Sequence, residues 1–306
     1  MDPWSAAIVD AAERVAPYVA HVVSVNTKEN RAAVGSGFAI DAYHVITHAP
    51  FAAADSEITV QAGGRKLGAT AVGTDPLYFL AVLRCDARIG LPPVPYEDSG
   101  SMKVGQMVLA LGDPYGTEHE VTHGVITGID RTIYRPERFP VDGLIVTDAV
   151  LHAGNVGGPL ATLEGKVVGL NGLPFSNGLG LAVQADVIMR VANQIIEFGR
   201  ATHPWLGFSG QPELIDPALM TLFGLPVSRG VIVSHVVEGG PGERAGIKTF
   251  DMVVRVDGRA VTHLGFIRRV LAGRRTGDRA TLTVVRDGNL VDLTIPVEEI
   301  PRLASA

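Results

Sequence analysis

The stretch that decides the fold reads Thr147-Asp148-Ala149-Val150-Leu151-His152-Ala153-Gly154-Asn155-Val156-Gly157-Gly158-Pro159-Leu160. Its centre is Val156, which follows Gly154-Asn155 and precedes Gly157-Gly158-Pro159-Leu160. A valine side chain has no lone pair and no labile proton. Nucleophilic catalysis requires a group that attacks carbon and a base that activates this group. The first question is therefore whether this stretch can take part in catalysis.

The glycines and their neighbours resemble the nucleophile loop of trypsin-like serine proteases of the HtrA/Deg family, which reads T-D-A-x-x-x-x-G-N-S-G-G-P-L. In that family the position of Val156 holds the nucleophilic serine. The resemblance also implies that Gly154 and Asn155 form a vestigial oxyanion loop.

The segments that carry the other two catalytic residues of the family also have counterparts here. Gly35-Ser36-Gly37-Phe38-Ala39-Ile40 followed by Val45-Ile46-Thr47 is similar to G-S-G-F-x-I and x-L-T-N-x-H-V, which places Pro50 at the histidine position. Residues 74–83 are similar to T-D-P-x-x-D-L-A-V-L, which places Phe79 at the aspartate position. In an alternative alignment, a two-residue deletion at the turn moves His48 to the histidine position, because turns tolerate short deletions.

All three triad positions thus hold apolar residues. Pro50, Phe79 and Val156 supply no base, no orienting carboxylate and no nucleophile, and loss of these groups removes most of the rate of acyl transfer. We therefore predict no catalytic residue and a protein that is not an enzyme. The competing interpretation is an active hydrolase, or a metal-dependent protein, that uses His48 and His152 near the degenerate site. Two histidines without an assured carboxylate are a weak metal signal, so we expect neither a metal nor a cofactor.

The resemblance extends over residues 1–200. Val104–Gly116 is similar to V-G-x-x-V-x-A-I-G-N-P-F-G, and Leu179–Val183 is similar to G-I-G-F-A-I-P. It implies two six-stranded antiparallel β-barrels, preceded by an N-terminal helix. The composition also favours a β-rich chain, because 36 glycines and 19 prolines separate short Val/Ile/Thr-rich runs. A length of 306 residues accommodates about two domains.

Residues 201–306 resemble a PDZ domain. Trp205-Leu206-Gly207-Phe208 is similar to the carboxylate-binding loop Y-L/I-G-V/I, and residues 230–258 follow the pattern of the domain core, with Phe250 replacing a usual glycine. We predict a helix over Thr262–Arg274 and a hairpin of residues 281–285 and 290–295 about Asp287-Gly288. The predicted fold class is mainly β, with a trypsin-like double six-stranded β-barrel followed by a C-terminal PDZ domain.

The PDZ resemblance implies a peptide-binding function. PDZ domains add a partner's C-terminal strand to a sheet edge and hold its carboxylate with backbone amides. The predicted peptide-binding residues are Trp205, Leu206, Gly207, Phe208, Ile267 and Val270. Ile267 and Val270 share one helical face, which either lines the groove or belongs to the plain core. We expect a catalytically inactive HtrA-like protein that binds peptides or unfolded protein C-termini as a chaperone, an adaptor or a regulatory subunit, with an active HtrA paralogue as a candidate partner.

The segment His119-Glu120-Val121-Thr122-His123 spells H-E-x-x-H, the signature of zinc proteases. This signature works on a helix, where residues four apart share one face about 6 Å apart. On a strand the two histidines lie about 13 Å apart at roughly 3.3 Å per residue, too far for one zinc ion. The neighbouring glycines and β-branched residues favour a strand, so we expect no zinc site here.

Charge and the N-terminal composition bear on partners and location. The formal net charge of −6 gives no basic surface for phosphate backbones, which argues against nucleic acid as a partner.

Charged residues interrupt the N-terminal apolar residues, whereas a secretory signal has an unbroken apolar core. They are Asp2, Asp10, Glu13 and Arg14. No apolar run approaches the roughly 18 residues of a spanning helix. We predict a cytoplasmic protein without a membrane span, although most members of the family are exported.

The resemblance also bears on the oligomeric state, and the cysteine count bears on disulfides. It implies a homotrimer formed through the first domain. Trp4 is either a packing residue or an intersubunit contact, and the second interpretation rests on the enrichment of aromatic residues at interfaces. The single cysteine, Cys85, allows no intramolecular disulfide.

Overall fold

The computed structural model describes residues 1–26, 28–62, 64–90, 93–135, 138–174 and 178–301. The chain forms two compact units. Unit 1 consists of Met1–Arg131 and Gly143–Ala201, and unit 2 consists of Thr132–Asp142 and Thr202–Ala306.

Unit 1 begins with helix α1 (Pro3–Val15). The Asp2 carboxylate accepts hydrogen bonds from the amides of Trp4 and Ser5, and Pro3 occupies the first helical position, so the start of the helix is well capped. Ala11 and Val15 are buried, whereas Trp4 is exposed. The homotrimer through Trp4 stays a prediction.

The first β-barrel is closed by six strands. They are β1 (Val19–Asn26), β2 (Arg31–Ala39), β3 (His44–His48), β4 (Ser56–Ala62), β5 (Arg65–Asp75) and β6 (Leu80–Cys85). The strand order around the barrel is β1-β2-β3-β6-β5-β4, with antiparallel pairing. Burial raises the pKa of the Cys85 thiol to about 11, so the thiol stays protonated at neutral pH.

The second β-barrel is also closed by six strands. They are β7 (Met107–Gly112), β8 (Glu120–Arg135), β9 (Arg138–Thr147), β10 (Pro159–Thr162), β11 (Val167–Pro174) and β12 (Gly180–Gln184). Their order is β10-β11-β12-β9-β8-β7. Helix α2 (Ala185–Phe198) follows and ends at Gly199, which adopts the left-handed conformation with φ of 72°. The prediction of two six-stranded barrels is confirmed.

Unit 2 contains most of the remaining elements. They are β13 (Pro204–Trp205), β14 (Phe208–Leu214), α3 (Pro217–Phe223), β15 (Arg229–Val236), α4 (Pro241–Arg244), β16 (Met252–Val256), β17 (Arg259–Ala260), α5 (Leu264–Leu271), β18 (Arg279–Arg286), β19 (Asn289–Pro296) and β20 (Glu298–Glu299). The main sheet has the order β14-β15-β16-β18-β19, so β14 is an edge strand. The predicted hairpin is confirmed as β18–β19, and the predicted helix is shorter than expected.

Two further predictions concern segments within this architecture. Glu120 and His123 lie on strand β8, and His119 precedes it, so the H-E-x-x-H segment adopts the predicted extended conformation. No helix within the described part of the chain is long and apolar enough to cross a membrane.

Candidate functional site

The loop from Val150 to Gly158 is a compact turn built around Asn155. The buried Asn155 side chain accepts the His152 amide hydrogen at 3.1 Å and donates to the Val150 carbonyl at 3.1 Å. Its backbone amide donates to the His152 carbonyl at 3.0 Å, and its carbonyl accepts from the Gly158 amide at 3.0 Å. One asparagine therefore satisfies both ends of the turn, which fixes the path of the backbone at Val156.

Ser36 on strand β2 anchors this loop. Its hydroxyl donates to the Gly154 carbonyl at 2.7 Å and accepts from the Asp113 amide at 2.7 Å. The Ser36 amide donates to the Val156 carbonyl at 3.1 Å. Since this hydroxyl is buried and engaged as both donor and acceptor, Ser36 holds the loop in place and is not poised as a nucleophile.

Asn171 on strand β11 supports the other side of the loop. Its carbonyl accepts from the Gly157 amide and its amide donates to the Gly158 carbonyl, each at 2.9 Å. Its side-chain nitrogen donates to the carbonyls of Pro159 and Leu111, at 3.0 Å and 3.3 Å. The glycine-rich turn is thus held by hydrogen bonds on both sides.

Val156 lies at the centre of this rigid turn. Only 4% of its surface is exposed, and it belongs to a hydrophobic cluster of the first barrel that also contains Phe51. The position therefore contributes apolar packing, and its side chain offers no atom that can attack a carbonyl carbon.

A backbone hydrogen bond joins the segments that contain Pro50 and Phe79. Pro50 is part of a short 3-10 helix (Ala49–Ala52), and the Ala49 amide donates to the Phe79 carbonyl at 2.7 Å. Phe79 has a φ of 54°, an unusual conformation for a bulky residue. The backbone thus brings the two predicted positions together and gives them side chains that can neither accept nor orient a proton.

His48 packs among aromatic residues. Its ring is stacked on Phe79 with 5.9 Å between the ring centroids, and it meets the edge of Phe51 at 6.3 Å. Burial lowers the pKa of His48, because the apolar surroundings disfavour the imidazolium form. The ring nitrogens form no hydrogen bond within the described part of the chain, so His48 has no group that would orient it as a base.

His152 has a different environment on the other side of the loop. Its Nδ1 accepts a hydrogen bond from the Gly154 amide at 3.1 Å, which leaves the ring proton on Nε2. Nε2 lies 3.3 Å from Oε2 of Glu120. His48 and His152 thus have different surroundings, and the described residues contain no group of three or more His, Cys, Asp or Glu that could hold a metal ion.

The predicted carboxylate loop of unit 2 has the required backbone geometry. Gly207 has a φ of 81°, and a Cβ added there would lie 2.8 Å from both the Gly242 nitrogen and the Pro241 Cδ atom. Only glycine fits this position. The amides of Leu206 and Gly207 donate to no acceptor among the residues that the structure describes. Two successive amides are therefore available to an anion.

The predicted apolar residues of the groove are divided between core and surface. Phe208 and Ile267 are buried in the core of unit 2, while Val270 is partly buried and packs against the same core. Trp205 and Leu206 are also buried. Ile267 therefore belongs to the core, and a groove lined by Ile267 and Val270 stays a prediction.

Sequence reasoning missed three residues that shape the site. Ser36 and Asn171 hold the loop, and Glu120 pairs with His152. Ser36 was within a quoted motif, but a hydrogen bond between residues 118 positions apart has no local signal. The sequence singled out Glu120 only as part of the H-E-x-x-H signature, and that signature does not indicate that His152 is the partner of Glu120.

Comparisons with known proteins agree with this architecture. The family described as Trypsin-like peptidase domain matches residues 35–170, and the family described as PDZ domain matches residues 206–297. A probable periplasmic serine endoprotease DegP-like of Halomonas elongata is 37% identical over 281 residues, covering 89% of this chain and 58% of the relative. A protein of the same description from Chlamydia trachomatis is 33% identical, covering 87% of this chain and 54% of the relative. The chain thus spans little more than half the length of these curated relatives.

Solved structures give the same result. The HtrA-type protease AlgW with tripeptide superposes with a TM-score of 0.74 at 29% identity, covering 97% of this chain and 98% of that chain. The serine endoprotease from Yersinia pestis superposes with a TM-score of 0.65 at 27% identity, covering 96% of this chain and 98% of that chain. The similarity therefore includes both units of the described fold.

These relatives show that two predictions are wrong. The prediction that the chain is not an enzyme is overturned because the relatives are named serine endoproteases. That prediction was based on Pro50, Phe79 and Val156. These three side chains show only that they supply no catalytic group themselves. The prediction of a cytoplasmic location is overturned because the curated relatives are named periplasmic. Its basis was a set of N-terminal charges, and Asp2 among them is the cap of helix α1.

Proposed function

Because the chain belongs to the HtrA/DegP family of trypsin-like peptidases and carries one PDZ domain, we propose that it selects polypeptides by capturing their free C-termini in that domain. The observation that carries this proposal is the pair of amides at Leu206 and Gly207, for which the described part of the chain supplies no acceptor. Amides without an acceptor bind a carboxylate through charge-assisted hydrogen bonds, which are stronger than neutral ones.

The edge strand β14 supports the same proposal. It follows directly after Gly207 and pairs on one side with β15, so its other side is open for an additional strand. A peptide whose carboxylate lies at Leu206-Gly207 extends along this edge and forms main-chain hydrogen bonds with β14. Helix α5 contacts β14. Its partly buried Val270 contributes an apolar contact for the last side chain of the peptide.

Peptide complexes of a structural relative agree with this proposal. The HtrA-type protease AlgW has been solved with a tripeptide and with a decapeptide. That protein is 27–29% identical to this chain over nearly its whole length.

A peptide with a free C-terminus should bind the full chain more tightly than the same peptide with an amidated C-terminus. Amidation removes the charge that strengthens the hydrogen bonds from Leu206 and Gly207, a loss of roughly 1.5–3 kcal/mol. This corresponds to an affinity lower by about tenfold to a hundredfold. Fluorescence anisotropy of an N-terminally labelled peptide with an apolar last residue measures the difference.

One further peptide serves as the control for net charge. Moving the negative charge from the C-terminus to an internal aspartate, with the C-terminus amidated, keeps the net charge and should not restore affinity. Equal binding of the free-acid and amidated peptides would show that the loop does not capture carboxylates.

We also propose that Pro50, Phe79 and Val156 occupy the positions of the family's catalytic triad. The rigid loop around Val156 and the backbone contact between Ala49 and Phe79 support this assignment. Peptide hydrolysis by this chain would then proceed without a serine at position 156, and so without an acyl-enzyme on that residue.

Fluorophosphonate treatment should therefore leave any peptidase activity of the purified chain unchanged. Valine has no oxygen to phosphonylate, so intact-mass measurement should show no adduct on the chain, and peptide mapping should show none on residues 147–160. The Val156→Ala variant is the matched control, because it also lacks a hydroxyl and should behave like the wild type. Loss of activity together with a stoichiometric adduct would show that a serine elsewhere in the chain is the nucleophile and that the assignment of Val156 is wrong.

We propose a periplasmic location on the names of the curated relatives. Unfolded polypeptides with free C-termini are the substrate class that fits both the PDZ domain and the peptidase fold. Fractionation of cells that express the chain from its own locus tests the location directly, with periplasmic and cytosolic marker proteins as controls.

A further inference from the structure

A cavity of about 660 Å³ lies beside the glycine-rich loop of unit 1. Its lining includes Val34, Tyr115, Glu120, Val121, His152 and Gly154. These residues come from strand β2, from the segment between β7 and β8, from the start of β8 and from the loop itself. All of them belong to unit 1, and none of them takes part in the proposed capture of C-termini.

Glu120 gives this cavity a negative charge. The Nδ1 atom of His152 accepts a hydrogen bond from the Gly154 amide, which places a ring proton on Nε2. Oε2 of Glu120 lies 3.3 Å from that Nε2, and no other described residue pairs with the carboxylate. The cavity lining contains no lysine or arginine. No lysine or arginine of the lining therefore neutralises the charge of Glu120.

Gly154 allows the Glu120 carboxylate to lie next to the loop. A Cβ added at Gly154 would lie 2.9 Å from Oε2 of Glu120 and 3.0 Å from Cε1 of His152. The absence of a side chain at Gly154 therefore makes room for both groups. A polypeptide that lies across the loop at Gly154 passes directly beside the Glu120 carboxylate.

Apolar side chains form the rim of the same cavity. Tyr115 is 73% exposed, and Val34 and Val121 are exposed as well. Such a rim suits the aliphatic stem of a long cationic side chain, whose charged end then reaches the carboxylate. The ring of Tyr115 adds a favourable surface for a cation. An anion would be repelled by Glu120, and an aliphatic side chain would bring no positive charge to the carboxylate.

We propose that this cavity is a subsite for a lysine or arginine side chain of a polypeptide that lies across the Gly154–Val156 loop. Glu120 forms an ion pair with the cationic group, His152 holds the carboxylate in position, and Tyr115, Val34 and Val121 contact the stem. The subsite gives the peptidase domain a sequence preference of its own, separate from the recognition of C-termini.

The test uses the full chain and peptides whose two ends are blocked, so that capture of a C-terminus plays no part. The probes are acetylated, amidated nine-residue Ala/Ser peptides with one central lysine or one central norleucine. Titrations followed by the amide resonances of Gly154 and of residues 113–122 give an affinity for each peptide. The wild type should bind the lysine peptide about three- to tenfold more tightly, and this preference should shrink with added salt.

The Glu120→Gln variant should lose the preference for lysine over norleucine. Glutamine keeps the size of the side chain and an oxygen near His152, so the ratio of the two affinities isolates the charge. The Glu118→Gln variant is the matched control, because Glu118 is exposed two residues earlier and does not line the cavity. It should keep the preference of the wild type.

Three outcomes would overturn the subsite. They are equal binding of the lysine and norleucine peptides by the wild type, an unchanged preference in Glu120→Gln, and shifts for the lysine peptide that occur outside the cavity. Since both peptides are amidated, these outcomes are distinct from a failure of C-terminal capture.

Discussion

Replacing Gly207 with alanine should lower the affinity of the full chain for a free-acid peptide by about a hundredfold. The residue has a φ of 81°, which side chains rarely adopt. The added Cβ would lie 2.8 Å from the Gly242 nitrogen and 2.8 Å from Pro241 Cδ, so the backbone has to shift. The Leu206 and Gly207 amides would then point away from the carboxylate. Anisotropy with the labelled free-acid peptide measures the loss.

Gly224 offers a matched control in the same unit. It also has a positive φ, of 57°, but an added Cβ there would meet nothing within 4 Å. The Gly224→Ala variant should cost about 1 kcal/mol of stability at the end of helix α3 and leave the peptide affinity unchanged. If Gly207→Ala binds the peptide as well as Gly224→Ala does, the loop is not the carboxylate site.

The fold was predictable from sequence because its signals are local. The glycine-rich turn about Val156 and the loop at Gly207 each need backbone conformations or close approaches that few residues allow. The Asp287-Gly288 pair, with φ values of 48° and 71°, similarly determines the hairpin of β18 and β19. Such positions appear in a sequence as fixed spacings. The resemblance of these spacings to known motifs therefore identified the two barrels and the PDZ domain from the sequence.

The contacts of the candidate site were not predictable in the same way. The Ser36 hydroxyl joins Gly154 to Asp113 across 118 and 77 positions of sequence. The pairing of Glu120 with His152 likewise depends on how a strand meets a loop that is distant in sequence. Strand alternation determines which side chains share a face, but the partner across the barrel depends on tertiary register.

Helix α3 had a local signal that sequence reasoning did not use. Asp216 caps it by accepting the Ala218 amide at 2.7 Å, Pro217 is its first residue, and Gly224 ends it in the left-handed conformation. This is the usual combination of start and stop residues. Helix α5, in contrast, was predicted to extend to Arg274 but ends at Leu271, just before the Ala272-Gly273 pair.

Phe250 shows how a local departure from a family pattern is accommodated. The family usually has glycine there, and Phe250 keeps a positive φ of 72° with its side chain exposed to solvent. The next residue, Asp251, holds the turn by accepting the Lys248 amide at 2.8 Å. Two bonds from Arg286, at 2.7 Å and 2.6 Å, fix the same carboxylate. The strained turn is therefore stabilised by a buried ion pair.

Arg286→Met should cost about 3–5 kcal/mol of the stability of unit 2, the largest stability effect that we expect. Asp251 is 1% exposed and Arg286 is 20% exposed, so the substitution leaves a buried carboxylate without its counter-charge. It also removes the bond from Arg286 to the Gly246 carbonyl. Urea unfolding of the full chain in a Trp4→Phe background measures the loss, because Trp205 is then the single tryptophan and reports on unit 2.

The pair of Arg274 and Asp257 is the matched control, since its separation of 2.7 Å is close to the 2.6 Å of Arg286 and Asp251 but its side chains are 34% and 25% exposed. Water stabilises the remaining charge there, so Arg274→Met should cost about 1 kcal/mol. Combining Arg286→Met with Asp251→Asn should recover part of the loss, because the buried charge is then gone while an oxygen still accepts the Lys248 amide. If Arg286→Met costs no more stability than Arg274→Met, the buried pair does not hold the turn. Phe250 is then stabilised by its contact with β15 alone, in which the Phe250 amide donates to the Val233 carbonyl.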